Sequence, residues 1–129
     1  MEARDEYRPL AIDHVALRVR DIERSIAWYR EVVGLRPRGG DPWKVPVFIC
    51  GQSGCISLFD APPDATGIES DTIAMDHVAF RVDRAGFDRA RQRLSDRGIE
   101  YRFRDHVVQH SIYFFDPDGH EVELTTYDV

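Results

Sequence analysis

Apolar and polar positions alternate along residues 10–20, with Val15, Leu17 and Val19 on one face and His14, Ala16 and Arg18 on the other. That two-residue period predicts a half-buried strand. From Asp21 the period lengthens. Ile22, Ile26, Tyr29 and Val33 fall at helical spacing, Asp21 is a suitable N-cap and Gly34 a suitable stop, so a helix is predicted over residues 22–33. Residues 35–38 read as a short strand ended by the Gly39-Gly40-Asp41-Pro42 turn. Residues 45–50 and 55–60 read as a hairpin about Gly51-Gln52-Ser53-Gly54.

The same order then recurs. Residues 76–82 alternate as a strand, and Asp83 can cap a helix reaching Arg97, with Phe87, Ala90 and Leu94 inward and Gly98 as the stop. Residues 99–104 read as a strand. Residues 111–115 and 121–127 read as a hairpin across Asp116-Pro117-Asp118-Gly119, whose Asp, Pro and Gly sit at the positions a type I turn prefers. The recurrence is visible in the letters themselves. Residues 11–20 read AIDHVALRVR, residues 74–83 read AMDHVAFRVD, and seven of the ten positions are identical. A repeat in so short a chain marks two copies of one supersecondary unit. The expected fold is therefore α+β: tandem βαβββ modules forming a curled mixed sheet around a cavity, with the helices outside. Module one spans residues 10–60, a polar linker with two prolines spans 61–73, and module two spans 74–129, behind a loose, charged tail over residues 1–9.

Composition narrows the partners. At 129 residues, 43% hydrophobic and 31% charged, the chain has the size and balance of one soluble globular domain. A net charge of −6 argues against nucleic acid or an anionic membrane as a partner. With no membrane-spanning apolar run and no signal-peptide core, a cytoplasmic protein is expected. In that setting Cys50 and Cys55, on either side of the Gly51–Gly54 turn, are expected as two reduced, partly buried thiols rather than a cross-strand disulfide.

The face opposite the apolar stripe carries the candidate chemistry. His14 and His77 occupy equivalent positions, each two residues before a small alanine, and both point toward the expected cavity. In the last strand Glu121, Glu123 and Thr125 share that face. Glu123, one pair further in from the turn than Glu121, completes a set of two histidines and one carboxylate, which leaves open positions on a metal for substrate. At the corresponding place in module one stands Ser57 or Leu58, depending on how the modules are matched, and neither is a strong ligand. Three protein ligands, His14, His77 and Glu123, are therefore expected. Arg18 and Arg81 recur on the same face, where they can hold an anionic substrate.

These segments, DHVALRV, SIAWYREVVGL, DHVAFRV and SIYFFDPDGHEVELTTY, resemble the vicinal oxygen chelate superfamily. That group holds glyoxalase I, fosfomycin-resistance thiol transferases, bleomycin-resistance proteins, methylmalonyl-CoA epimerases and extradiol dioxygenases. The resemblance runs over residues 10–129. It implies two βαβββ modules around a metal-centred cavity, His14, His77 and Glu123 as ligands of one divalent metal ion (Fe2+ or Mn2+ foremost, with Zn2+, Ni2+ or Co2+ compatible), a small-molecule substrate, and a homodimer. Some members build each metal site from two chains. Glyoxalase I and the epimerases place a carboxylate or glutamine where Ser57 stands here. The fosfomycin enzymes carry a late lysine and a C-terminal arginine, whereas this chain has Lys44 alone and no arginine after Glu123. Extradiol dioxygenases pair a histidine, Ile-Tyr, Asp-Pro-x-Gly and the glutamate. Here His106, Ile112-Tyr113, Asp116-Pro117-Asp118-Gly119 and Glu123 stand at compatible spacing, with Arg104 where a small or apolar residue is usual. An extradiol-type dioxygenase is the resulting expectation, with glyoxalase-like lyase or isomerase chemistry and antibiotic sequestration as the alternatives. Tyr113, His106 and His110 are its candidate catalytic residues: a phenol can donate to a bound oxygen, and an imidazole can serve as acid or base near neutral pH.

Overall fold

The computed structural model describes residues 8–38, 47–69 and 71–129. Most of the expected tail, the turn at residues 39–42 and the start of the third strand at residue 45 lie outside these residues. Module one consists of β1 (His14–Val19), α1 (Ile22–Trp28), a π-helical turn (Tyr29–Val33), β2 (Arg36–Pro37), β3 (Val47–Cys50) and β4 (Cys55–Asp60). Module two repeats the order with β5 (Val78–Arg81), α2 (Arg84–Asp96), β6 (Arg102–Asp105), β7 (His110–Phe115) and β8 (Glu121–Thr126).

Each helix starts and stops where its sequence says it should. The Asp21 carboxylate accepts from the Arg24 amide at 3.0 Å and the Asp83 carboxylate from the Gly86 amide at 2.7 Å, satisfying donors that the first helical turn leaves without partners. Gly34 and Gly98 close the helices at φ 88° and 69°, a left-handed conformation that costs a side-chain-bearing residue energy. One detail differs from expectation. The last turn of the first helix widens, with the amides of Gly34 and Leu35 both bonded to the Tyr29 carbonyl. This rotates Val32, rather than Val33, into the core.

Two four-stranded sheets result, ordered β1-β4-β3-β2 and β5-β8-β7-β6. In each, the first strand runs parallel to the last and the remaining pairs are antiparallel. The α+β tandem of βαβββ modules is thus as expected, but the strands form two separate sheets. β1 and β5 each form an edge. The registers are equivalent: Ala16 pairs with Ser57 as Ala79 pairs with Glu123. That settles Ser57, not Leu58, as the module-one counterpart of Glu123.

The helix sides of the two sheets share one core. Leu17, Val19, Ile26, Tyr29, Ile56 and Leu58 from module one join Phe87, Leu94, Ile112, Phe114, Val122 and Leu124 from module two. Full burial of each such side chain contributes about 1.5–3 kcal/mol. Polar groups lock the joint. The β7–β8 turn inserts two buried aspartates against module one. Asp116 accepts from the Tyr29 hydroxyl at 2.7 Å and from the amides of Asp118 and His120. Asp118 accepts from the Arg20 amide and guanidinium and from Arg24. Because both helix sides face this joint, the two opposite faces turn away from it, and Ala16, Arg18, Ala79 and Arg81 on them are exposed. No helix among the described residues is long and apolar enough to cross a membrane.

Candidate metal centre

The strand alternation of module two brings His77, Glu123 and Tyr113 onto one face. His77 immediately precedes β5, Glu123 lies in the adjoining β8, and Tyr113 pairs directly with Glu123 from β7. The His77 Nε2 atom stands 2.9 Å from Glu123 Oε1, and the ring meets Tyr113 edge-on with centroids 5.7 Å apart. Glu123 is 6% exposed, so its charge needs partners. The Ser111 hydroxyl donates to Oε2 at 2.7 Å and His77 faces Oε1.

The aspartate before each histidine has a role that sequence reading passed over. Asp76 accepts from His77 Nδ1 at 2.7 Å, and Asp13 accepts from His14 Nδ1 at 2.8 Å. A carboxylate on one ring nitrogen fixes the tautomer and leaves Nε2 as the ligand atom, the arrangement found behind metal-bound imidazoles. The repeated Asp-His pair was the available signal. Its effect shows in His77, whose pKa is raised by the Asp76 hydrogen bond, opposed by burial and reinforced by the charges of Glu123, Asp76 and Glu121. An imidazole Nε2 standing 2.9 Å from a buried carboxylate oxygen is a donor pair that suits a divalent transition metal.

Glu121 flanks the pair. Ligand atoms of Asp76, His77 and Glu121 lie within 4.8 Å of one another, the one such threesome among the described residues, but Arg102 already holds Glu121 at 2.7 Å. His14 is not brought into this cluster. It belongs to the other sheet, packed edge-on against Phe48 at 5.1 Å.

His106 and Tyr113 do come together, with Nε2 and the hydroxyl 3.1 Å apart. Burial, and then the Glu123 charge, raise the pKa of the Tyr113 phenol, which keeps it a hydrogen donor at neutral pH. His106 sits in the β6–β7 turn beside Val107, whose φ of 72° is costly for a β-branched residue. His110 points to the opposite side of β7. Its Nδ1 accepts from Arg84 at 2.9 Å and Asp105 lies 3.6 Å from Nε2, so it does not join His106 and Tyr113. An open cleft of about 480 Å³, lined by Ile99, Glu100, Tyr101, Arg102, Tyr113 and Phe115, adjoins the centre through Tyr113 and has the size of a small-ligand site.

Cys50 and Cys55 depart from expectation. They are joined as a disulfide, because the β3–β4 register sets them directly opposite each other with Cα atoms 4.1 Å apart.

Residues 11–124 match the family described as the Glyoxalase/Bleomycin resistance protein/Dioxygenase superfamily. The chain belongs to that superfamily. It is 31% identical to the glutathione transferase FosA of Serratia marcescens, over 88% of this chain and 79% of that protein. It is 33% identical to the metallothiol transferase FosB of Staphylococcus saprophyticus, over 90% and 76%. It is 27% identical to the catechol-2,3-dioxygenase of Bacillus subtilis, over 88% of this chain but 40% of that one. Among solved structures, the lactoylglutathione lyase of Agrobacterium tumefaciens superposes with a TM-score of 0.71 at 25% identity, covering 93% of this chain and 96% of that one. Proteins named for three different reactions are thus similar to this chain, and the choice among those reactions rests on the site.

Proposed function

We propose that the protein is a divalent-metal-dependent enzyme acting on a small molecule that presents two adjacent oxygen atoms, with extradiol-type ring opening as its reaction. The observation that carries this reading is the Tyr113 hydroxyl, 3.1 Å from His106 Nε2 and on the same face as the His77–Glu123 pair. A divalent cation bound there supplies Lewis acidity toward the chelating oxygens. The chain's own part is the handling of protons and position. Tyr113 donates its hydroxyl hydrogen to a substrate oxygen, His106 Nε2 receives or returns a proton at that hydroxyl, and the cleft beside Tyr113 and Phe115, which mixes aromatic and charged lining, seats an aromatic ring.

His77 and Glu123 hold the metal from one chain, and His14 comes from a second copy. Support comes from the two outward-turned faces, from β1 and β5 lying at sheet edges among the described residues, and from the exposed apolar residues Leu10, Ile12, Ile73 and Met75 just before those edges. A homodimer covering them would join each module-one face to a module-two face.

The similarity to FosA and FosB over most of their length favours a second reading, thiol transfer to a small electrophile. One experiment separates the two. Metal content is measured in protein purified without chelator. Oxygen uptake is then followed on a catechol panel with Fe2+, and loss of fosfomycin is followed with Mn2+ and glutathione. Oxygen-dependent ring cleavage supports the dioxygenase reading. Thiol-dependent consumption of fosfomycin without oxygen uptake replaces it with the second.

A further inference from the structure

The face of module one that carries His14 also carries both cysteines. His14 pairs in register with Cys55, and Cys55 pairs with Cys50, so the three side chains stand on one side of the sheet. The Cys55 amide donates to the Asp13 carbonyl at 3.0 Å, tying the cysteine to the backbone beside His14. Asp13 holds Nδ1 and leaves His14 Nε2 free to ligate. Both cysteines are partly exposed and within reach of a small reductant. Ser57 lies two residues along the same face. It is 1% exposed, and its Oγ has no hydrogen-bond partner among the described residues. A buried hydroxyl without a protein partner has hydrogen-bonding capacity left for a water or a ligand.

We infer that opening the disulfide creates a second metal site, in which Cys50 Sγ, Cys55 Sγ and His14 Nε2 take a zinc- or cobalt-class cation. A dithiol reductant supplies two electrons and two protons. The S–S bond breaks, two thiols form, and the reductant leaves as its own disulfide. The cation then displaces the two thiol protons, as thiolates are the ligating form. Two sulfurs and one imidazole suit borderline-soft divalent ions, with a fourth position left for water. Ser57 Oγ, two residues from Cys55 on the same face and without a hydrogen-bond partner among the described residues, would be a candidate to hydrogen-bond that water. The site shares only His14 with the centre proposed above and requires neither His77, Glu123 nor any enzymatic turnover. Because His14 serves both, the redox state of the cysteine pair governs which metal His14 holds.

Cobalt distinguishes the two sites. Thiolate ligands give Co2+ a charge-transfer absorption in the near ultraviolet, which nitrogen and oxygen ligands alone do not. The full-length protein is reduced with dithiothreitol, freed of reductant under argon and titrated with Co2+, with far-ultraviolet circular dichroism to follow the fold. The charge-transfer band should appear in reduced protein and be absent from oxidised protein and from Cys55→Ser. His77→Ala should keep the band, and His14→Ala should weaken cobalt binding at it by about tenfold or more. Cobalt binding to reduced protein without the band overturns the proposal. So do a band indifferent to His14→Ala, a disulfide that resists reduction in the folded protein, and loss of the fold on reduction. The His77–Glu123 centre is tested by catalysis and survives any of those results.

Discussion

The hydroxyl of Tyr29, in module one, donates to the buried carboxylate of Asp116, in module two, across 2.7 Å. This bond joins the two copies of the repeat at their shared core. Tyr29→Phe leaves Asp116 Oδ2 buried without that donor, and stability should fall by about 1–3 kcal/mol, read from the midpoint of urea unfolding. The pH dependence carries a further sign. Burial first, and then the charge of Asp116, push the Tyr29 pKa far above its ordinary value of 10.0. An unfolded chain therefore releases this proton where the folded one does not. The contribution of Tyr29 is complete below about pH 10 and is lost as pH rises beyond it. Alkaline melts should show a shallower loss in Tyr29→Phe than in the parent protein.

His77 bridges Asp76 and Glu123, so a proton competes with a metal for its Nε2. Because its pKa is raised, metal affinity should fall as pH drops through that raised value. The sign for the metal-free protein is opposite. The stability His77 contributes is fully present below its ordinary value of 6.5 and disappears as pH rises through the raised one. Metal titrations and thermal melts at a series of pH values check both directions. Glu123→Gln should lower metal affinity by about tenfold or more, measured by calorimetry.

Tyr113→Phe and His106→Ala remove a proton path without removing a ligand. Each should reduce kcat by about 100-fold or more while bound metal, measured by elemental analysis, stays unchanged. Loss of metal in either variant would show that the pair supports the ligand shell instead.

Val107 carries a positive φ in the turn that positions His106. Val107→Gly adopts that conformation without cost, and the gain should be about 1 kcal/mol of stability. A freer turn holds His106 less firmly against Tyr113, so kcat should fall in the same variant. Stability and activity moving in opposite directions is the expected signature.

Much of this structure is written in short-range pattern. The caps at Asp21 and Asp83, the stops at Gly34 and Gly98, and the placing of Glu123 one pair in from the turn follow from local spacing that any sequence reader can count. What escaped local pattern depends on register or on the joining of modules. The Cys50–Cys55 bond follows from strands meeting in a particular alignment, which the residue spacing permits but does not require. The separation of His14 from His77 follows from the helix sides sharing one core, a choice between two packings that the same repeat allows. The two aspartates of the Asp-Pro-Asp-Gly turn looked like turn chemistry and prove also to fasten the modules together. His110 is different, because the alternation that sets it beside Ile112 and Phe114, away from Tyr113, was already present in the sequence.

The outward-turned faces have a genetic consequence. If every site draws His14 from one chain and His77 from another, each chain serves two sites and completes neither. A His14→Ala chain and a His77→Ala chain would then be inactive alone. Co-folded, they would form a mixed dimer with one site lacking both histidines and one site whole, and so restore about half of the parental activity per mixed dimer. Damage in the two halves of the sequence would complement in trans, as though the duplicated modules were still separate genes.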